Sequence, residues 1–410
     1  MKIKKSTILA SIGSGLEYYD FTIYALLISY ISYHFFPSHD KIVSLISSYL
    51  VFAIAYIVRP LGGIIFGILG DRYGRKKILV EVMFLMAIVT MTMGFLPTYQ
   101  NSFGGVFASI LFIILRLFQG ILFGAELPCA LTFISEHTGK NYKGLNCAIM
   151  TSMITIGVLF GNGVIYLLSS NLPNEAMQSW GWRIPFILGG LLAFCVFYIR
   201  KNTIETPSFV AEIKNRHPMD LKIFAKSFFS GIGILILPSI LILSYLVLPS
   251  IFIAVNNCKP SDVFMASLIG YAASVVLVPI FGFIGDRIGK KIIYRAALLL
   301  ILILAYPALS VQTINTIGEL ILFMVSYQLV ISIMAGSYYP MLAENFPTRT
   351  RYTGVASAYN FSMLIASFFP IIVASAFKGQ SQTFEFFYLS ILVLSAIAFV
   401  STLFVKKYSD

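Results

Sequence analysis

Twelve apolar stretches follow one another along the chain, each separated from the next by polar, glycine or proline residues. They fall at about 8–34, 42–70, 78–97, 103–136, 143–170, 183–200, 222–255, 262–285, 292–311, 315–343, 352–377 and 383–405. A helix of about 20 residues crosses the hydrocarbon core of a bilayer. Runs longer than about 25 predict tilted helices that project past it. Inside lipid a helix satisfies its own backbone polar groups. The pattern therefore predicts an all-α polytopic membrane protein of twelve transmembrane helices. The segment at 201–221 is too short for a soluble domain and divides the chain into bundles at 1–200 and 222–410, joined by an inter-bundle loop at 201–221.

Composition agrees. The 410 residues are 58% hydrophobic and 11% charged, which excludes a soluble globular domain, a disordered chain and a nucleic-acid binder despite the net charge of +12. With the N-terminus in the cytoplasm, 23 of the 29 basic residues fall on the cytoplasmic side. Only Lys41, Arg183, Lys259 and Lys378 fall opposite, and Arg59 and Arg116 lie within helices. That bias places both termini in the cytoplasm. Basic loops facing an anionic leaflet then explain the charge without a nucleic acid or an acidic partner. The opening Met-Lys-Ile-Lys-Lys looks like the start of a signal peptide, but the apolar stretch behind it is too long and carries Glu17 and Asp20, so it reads as a retained first helix. Cys129, Cys147, Cys195 and Cys258 have neither metal-site nor redox-pair spacing, and no nucleophile motif or cofactor loop occurs. No metal, no cofactor and no enzymatic activity are expected.

One pattern occurs twice. Gly67-Ile-Leu-Gly-Asp71-Arg72-Tyr-Gly74-Arg75-Lys76-Lys77 precedes the third stretch, and Gly282-Phe-Ile-Gly-Asp286-Arg287-Ile-Gly289-Lys290-Lys291 lies 215 residues later in the same place of the second half. Two pseudo-symmetric repeats with a site at their interface are the expected arrangement. Glycines permit a tight turn, and an aspartate at a helix end caps backbone amides or pairs with arginine. Gly67, Asp71, Arg72, Gly74 and Arg75, with Asp286, Arg287 and Gly289, thus read either as a latch for one access state or as basic loops that fix topology.

The doubled loop resembles the signature loop of the major facilitator superfamily. Other segments resemble its metabolite:proton symporter family, which includes proline/betaine, shikimate, dicarboxylate and citrate carriers, with the sugar porters as more distant relatives. They are Gly15-Leu-Glu17-Tyr-Tyr-Asp20-Phe21, Arg59-Pro60-Leu-Gly62-Gly63, Arg116-Leu-Phe-Gln119-Gly120, Gly124-Ala-Glu126, Glu136, Trp182-Arg183-Ile-Pro185-Phe186, Glu205-Thr206-Pro207-Ser-Phe209 and the run from Glu344 to Gly354. Ala125 departs from the pattern, standing where a second glycine is usual. The chain also lacks the coiled-coil tail that osmosensory betaine carriers of the family use, so an osmosensor role is not expected.

Ionisable side chains deep in a spanning helix mark function. Glu17 and Asp20 lie about nine and twelve residues into the first helix, and Arg116 about a dozen into the fourth, which suggests a common depth and a pairing of Asp20 with Arg116. Two carboxylates one turn apart do not both stay ionised cheaply. A guanidinium that approaches in one access state and retreats in the other would couple protons to transport. The resemblance to sugar porters implies that role for Asp20 and Arg116; the alternative is a permanent ion pair. Glu17 reads as a second proton carrier or as a local hydrogen-bond partner, and Glu126 as a proton exit or the partner of a basic loop. Arg59 reads as an anchor of the second helix in preference to an anion site. Tyr24, Arg116, Gln119, Gln328, Tyr339 and Asn360 are the candidate solute contacts. The four histidines, at helix ends and in loops, are not proton-carrier candidates.

The sequence thus predicts a proton symporter in the bacterial cytoplasmic (inner) membrane, importing an amino acid, betaine or organic acid by alternating access and able to work as a monomer. Its partners would be the solute, protons and the lipid bilayer. The competing readings are a proton-coupled exporter and a non-transporting sensor on a carrier fold. The fifth helix, with Gly157, Gly161, Asn162 and Gly163 but no proline, counts against the exporter.

Overall fold

A computed structural model describes residues 5–39, 41–100, 105–202, 204–206, 208–210, 220–255, 259–308, 316–369 and 382–408. The first half contains α1 (Lys5–Leu26), α2 (Ile28–Phe35), α3 (Lys41–Tyr73), α4 (Arg75–Phe95), α5 (Gly105–His137), α6 (Lys143–Asn171), the short α7 (Asn174–Ser179) and α8 (Ile184–Lys201). The second contains α9 (Leu221–Val255), α10 (Pro260–Ile288), α11 (Lys290–Ala308), α12 (Ile317–Glu344), α13 (Arg351–Ser367) and α14 (Gln382–Phe404). Each apolar stretch of the sequence is helical over most of its described part, and the first is interrupted at Leu27. The end of the eleventh stretch, at 370–377, lies outside the described residues, as do Cys258, Pro207, His217 and Lys378.

Eight of the described helices, α3 to α6, α8 to α10 and α12, contain segments long and apolar enough to cross a membrane by themselves. Polar positions dilute α1 and α13, which carry Glu17 and Asp20 on one and Arg351 and Asn360 on the other. The distribution of side chains is that of a protein solvated by lipid. Glu17, Asp20, Arg59, Arg116 and Glu126 are buried, whereas Leu50, Phe107, Ile303 and Leu403 are exposed. Within the halves α1 packs on α6, α3 on α5 and α10 on α12, each pair running parallel, and α4 packs antiparallel on α8. Between the halves, α3 packs on α13 and α6 on α10.

Helix ends follow local chemistry. Pro185 and Pro260 sit in the first turns of α8 and α10, where a missing N–H is harmless. Thr316 and Glu319 form a capping box at the start of α12. The two signature loops are single-residue turns at Gly74 and Gly289, with φ of 113° and 120°, a region that favours glycine. Their surroundings differ. A Cβ on Gly74 would overlap the Glu205 carboxylate, whereas one on Gly289 would reach only the Ile292 side chain, at 3.5 Å. Backbone strain alone is of order 1–3 kcal/mol for a non-glycine residue at positive φ. Gly74→Ala is therefore expected to lower the unfolding temperature in detergent by clearly more than Gly289→Ala. Equal losses would contradict this account of the Gly74 turn.

Candidate functional site

Between the halves lies a cavity of about 120 Å³. It is lined from the first half by Glu17 and Tyr18 of α1, Tyr56 and Arg59 of α3, and Thr151 and Thr155 of α6. From the second half come Tyr245 of α9, Tyr271 of α10, and Gln328 and Tyr339 of α12. Among the described lining residues Glu17 is the one carboxylate and Arg59 the one cation, and they pair at 3.3 Å. Arg59 also lies over the rings of Tyr56 and Phe123, at 5.4 and 5.6 Å from their centres. Aromatic faces of this kind hold a desolvated guanidinium by its attraction to their negative π surface. The Tyr18 and Tyr359 hydroxyls meet at 3.0 Å, joining α1 to α13 beside the cavity.

Asp20 lies one turn beyond Glu17 but points elsewhere. Its Oδ2 accepts a hydrogen bond from Thr90 Oγ1 at 2.9 Å, and Oδ1 has no hydrogen-bond partner among the described residues. Thr90 Oγ1 in turn accepts from Gln119 Nε2 at 3.1 Å, and Arg116 Nη1 donates to Gln119 Oε1 at 2.5 Å. Arg116 also lies 4.1 Å from the centre of the Tyr24 ring. The expected direct pairing of Asp20 with Arg116 is therefore replaced by a chain, Asp20–Thr90–Gln119–Arg116.

The reason is the length of α5. Asp20 stands 15 residues from Lys5, or about 22 Å along α1 from its basic end, whereas Arg116 stands 21 residues from His137, or about 31 Å along α5 from the same end. Counted from that common end, Arg59 at about 21 Å lies level with both carboxylates of α1, Glu17 at about 18 Å and Asp20, and it is Glu17 that meets it while Asp20 turns to Thr90. The sequence showed both residues but matched the wrong two, and Arg59 proves to be a cavity residue as well as an anchor. Glu126 pairs at 2.7 Å with Arg200 in the last turn of α8.

Of the candidate solute contacts, Gln328 and Tyr339 line the cavity. Tyr24, Gln119, Arg116 and Asn360 do not. Tyr24 Oη donates to the Ser48 carbonyl at 3.1 Å. Gln119 and Arg116 are engaged in the chain to Asp20. Asn360 Nδ2 donates to the Gly124 and Ala356 carbonyls at 2.7 and 2.8 Å, fixing α13 against α5. These bonds turn their polar groups away from the cavity, although Arg116 Nε and Nη2 and Asn360 Oδ1 have no hydrogen-bond partner among the described residues. Tyr18, Tyr56, Tyr245 and Tyr271 are lining residues that sequence reasoning did not single out. No spacing distinguishes them among 23 tyrosines.

At the basic end the doubled loops form two matched contacts. Asp71 Oδ1 accepts from the Tyr352 amide at 3.2 Å, and Oδ2 accepts from the Thr353 amide and hydroxyl at 2.8 and 2.7 Å, capping the first turn of α13. Asp286 caps α6 likewise, accepting from the Gly144 and Leu145 amides at 2.8 and 2.9 Å. Each aspartate thus reaches across to the N-terminus of a helix in the opposite half, where unsatisfied amides and the helix dipole favour an anion.

Cations reinforce both. Arg75 pairs with Asp71 at 3.0 Å and with Glu136 at 3.3 Å, and Glu136 also pairs with Arg351 at 3.3 Å. Lys290 pairs with Glu344 at 2.6 Å. Arg72 and Arg287, grouped with the latch from the sequence, are exposed and pack over the rings of Tyr73 and Phe283. Arg75 and Lys290 are the cations that enter the contacts. Gly67 lets α3 approach α13, since a Cβ there would come within 2.8 Å of Thr353 Cα.

Known proteins share this architecture. The chain is 28% identical over 430 residues to the glycine betaine/proline/ectoine/pipecolic acid transporter OusA of Dickeya dadantii (strain 3937), an alignment covering 100% of this chain and 84% of that protein. It is 31% identical over 389 residues to the inner membrane metabolite transport protein YhjE of Escherichia coli (strain K12), covering 90% of this chain and 87% of the relative. Its fold matches the proton:xylose symporter XylE bound to 6-bromo-6-deoxy-D-glucose with a TM-score of 0.79 at 16% identity, over 97% of this chain and 94% of that one. The sequence model of the Major Facilitator Superfamily matches residues 10–370, and the chain belongs to that superfamily of multi-pass membrane transporters.

Proposed function

We propose that this transporter imports a small carboxylate-bearing or zwitterionic metabolite, of the proline or betaine type, together with protons. Twelve spanning helices in two six-helix bundles, 1–200 and 222–410, with the loop at 201–221 and both termini in the cytoplasm, are the arrangement this reading uses. The observation that carries it is the cavity between the halves, whose described lining holds a single Glu17–Arg59 ion pair amid tyrosines. Such a lining suits a solute with one anionic and one cationic end. The relatives named for glycine betaine and proline support the same solute class.

Alternating access is the second part of this reading. The two aspartate caps tie the halves together at the basic end, which the distribution of basic residues assigns to the cytoplasm. Loss of both caps would free α3 from α13 and α6 from α10, and the halves would rock about the cavity. The buried carboxylates of α1 serve as the proton sites. Asp20, held through Thr90 and Gln119 at a distance from Arg116, changes its environment when α1 moves against α4 and α5.

Two measurements test this reading. In proteoliposomes given labelled amino acids, betaines and dicarboxylates, an external acid pulse should drive accumulation of a zwitterion or carboxylate above equilibrium, and Asp20→Asn should lose accumulation while retaining exchange. Uptake of none of these, with extrusion of apolar drugs, would favour an exporter. For the caps, Asp71→Ala and Asp286→Ala should each speed maleimide labelling of buried Cys129 and Cys147 from the cytoplasmic side, with Cys195 and Cys258 replaced by serine. The expected factor is about tenfold, because an N-cap contributes roughly 1–2 kcal/mol. Unchanged labelling would show that the caps do not hold the closed face.

A further inference from the structure

The Glu17–Arg59 pair is incompletely bonded for ions so deeply buried. It is a single contact between Arg59 Nη2 and Glu17 Oε1 at 3.3 Å, not a two-point fork. Glu17 Oε2 and Arg59 Nε have no hydrogen-bond partner among the described residues. Both side chains line the cavity. A planar guanidinium can take a carboxylate through two parallel N–H···O bonds, and such bidentate pairs are markedly stronger than single contacts. Arg59 therefore offers a solute carboxylate a better geometry than it gives Glu17.

We propose that the solute carboxylate displaces Glu17 from Arg59 and that Glu17, left without its counter-ion, takes up the transported proton. This inference rests on the function proposed above and assigns the residues that link solute to proton. The exchange balances in charge and atoms. The solute carboxylate forms hydrogen bonds to the guanidinium, the Arg59–Glu17 contact breaks, and one proton from the external solution bonds to a Glu17 carboxyl oxygen. Before loading, the pair is neutral. After loading, Arg59 faces the solute anion, Glu17 is a neutral acid, and the solute cation rests against tyrosine faces such as Tyr245 and Tyr271, whose centres are 5.0 Å apart. Solute without a proton would leave a bare carboxylate in the cavity, and a proton without solute would leave a bare guanidinium. Each half-loaded state is penalised by desolvation.

The other acids near Glu17 lie off the cavity and hold partners of their own, although Asp20 Oδ1 and Glu126 Oε2 are also without a hydrogen bond among the described residues. On its own helix Asp20 bonds to Thr90, and Tyr18 to Tyr359. From α5, Glu126 is paired with Arg200 of α8. From α3, Tyr56 lies under Arg59. The part of α6 that lines the cavity offers threonines, Thr151 and Thr155, and no acid or base. Arg59 is thus the cation whose partner a solute can exchange.

The test is the pH dependence of solute binding to the purified full-length protein, read by calorimetry with glycine betaine and L-proline as probes and choline as the carboxylate-free control. Wild type should take up about one proton per solute bound, with affinity falling about tenfold per pH unit once Glu17 is ionised in the free protein. Glu17→Gln should bind with affinity constant within about twofold across the same range, because the competitor for Arg59 and the proton site coupled to binding are both gone, Asp20 answering to the movement of α1 and not to solute binding. Glu17→Asp should keep the slope, which guards against a folding defect in the amide variant, and choline should cause no proton uptake.

Retention of the slope by Glu17→Gln, or binding by wild type without proton uptake, would overturn the assignment while leaving the transport function standing. Failure of wild type to bind either zwitterion would overturn the proposed function and this inference with it.

Discussion

Lipid offers no hydrogen bonds, and the buried ion pairs among the described residues answer to that constraint. In water a lone arginine or glutamate is stable wherever it falls; inside a bundle it must find a partner on another helix or make the helix insert poorly. The packing follows accordingly. Glu17 ties α1 to α3, Glu126 ties α5 to α8, and Glu136 gathers Arg75 and Arg351 from opposite halves. Glycines bring the backbones close enough for short side chains to reach. In the proposed cycle, charges that hold the bundle are also the groups that solute and proton rearrange.

The two ends of the pathway use this constraint differently. At the basic end the aspartates satisfy helix amides, an interaction that is directional and spread over several bonds, and so able to hold a closed face until a competing arrangement forms. In the cavity the one ion pair is weakly formed, with polar atoms to spare. In the proposed cycle, strong contacts at the basic end and a weak one in the cavity leave room for solute binding to shift the balance between access states.

Much of this was legible in the chain. The twelve apolar stretches foretold the helices, and the repeated loop foretold a pair of related contacts because Asp71 and Asp286 recur at the same place in each half. Composition could not say which cation of the loop would face inward. Arg72 and Arg287 look equivalent to Arg75 and Lys290 in sequence, yet the turn at glycine sends the first pair to the surface. Depth was the harder problem. Residue counts place a side chain only when the helix ends are known, and α5 runs far enough past the basic end to separate Arg116 from Asp20, while Arg59 of α3 lies level with the carboxylates of α1 and meets Glu17. The cavity tyrosines were illegible for a different reason, since their inward orientation depends on helix rotation.

The central claim is that a solute bound between the halves, together with a proton, releases the paired aspartate caps. The most direct measurement is the distance between spin labels at Tyr73→Cys and Ile288→Cys, exposed and equivalent positions beside the two signature loops, in protein with Cys195 and Cys258 replaced by serine. Without solute the account predicts one narrow, short distance population. Glycine betaine at acidic pH should add a longer population that neither acid nor solute produces alone. A distribution that solute and pH together leave unchanged, or that acid alone shifts fully, would contradict it.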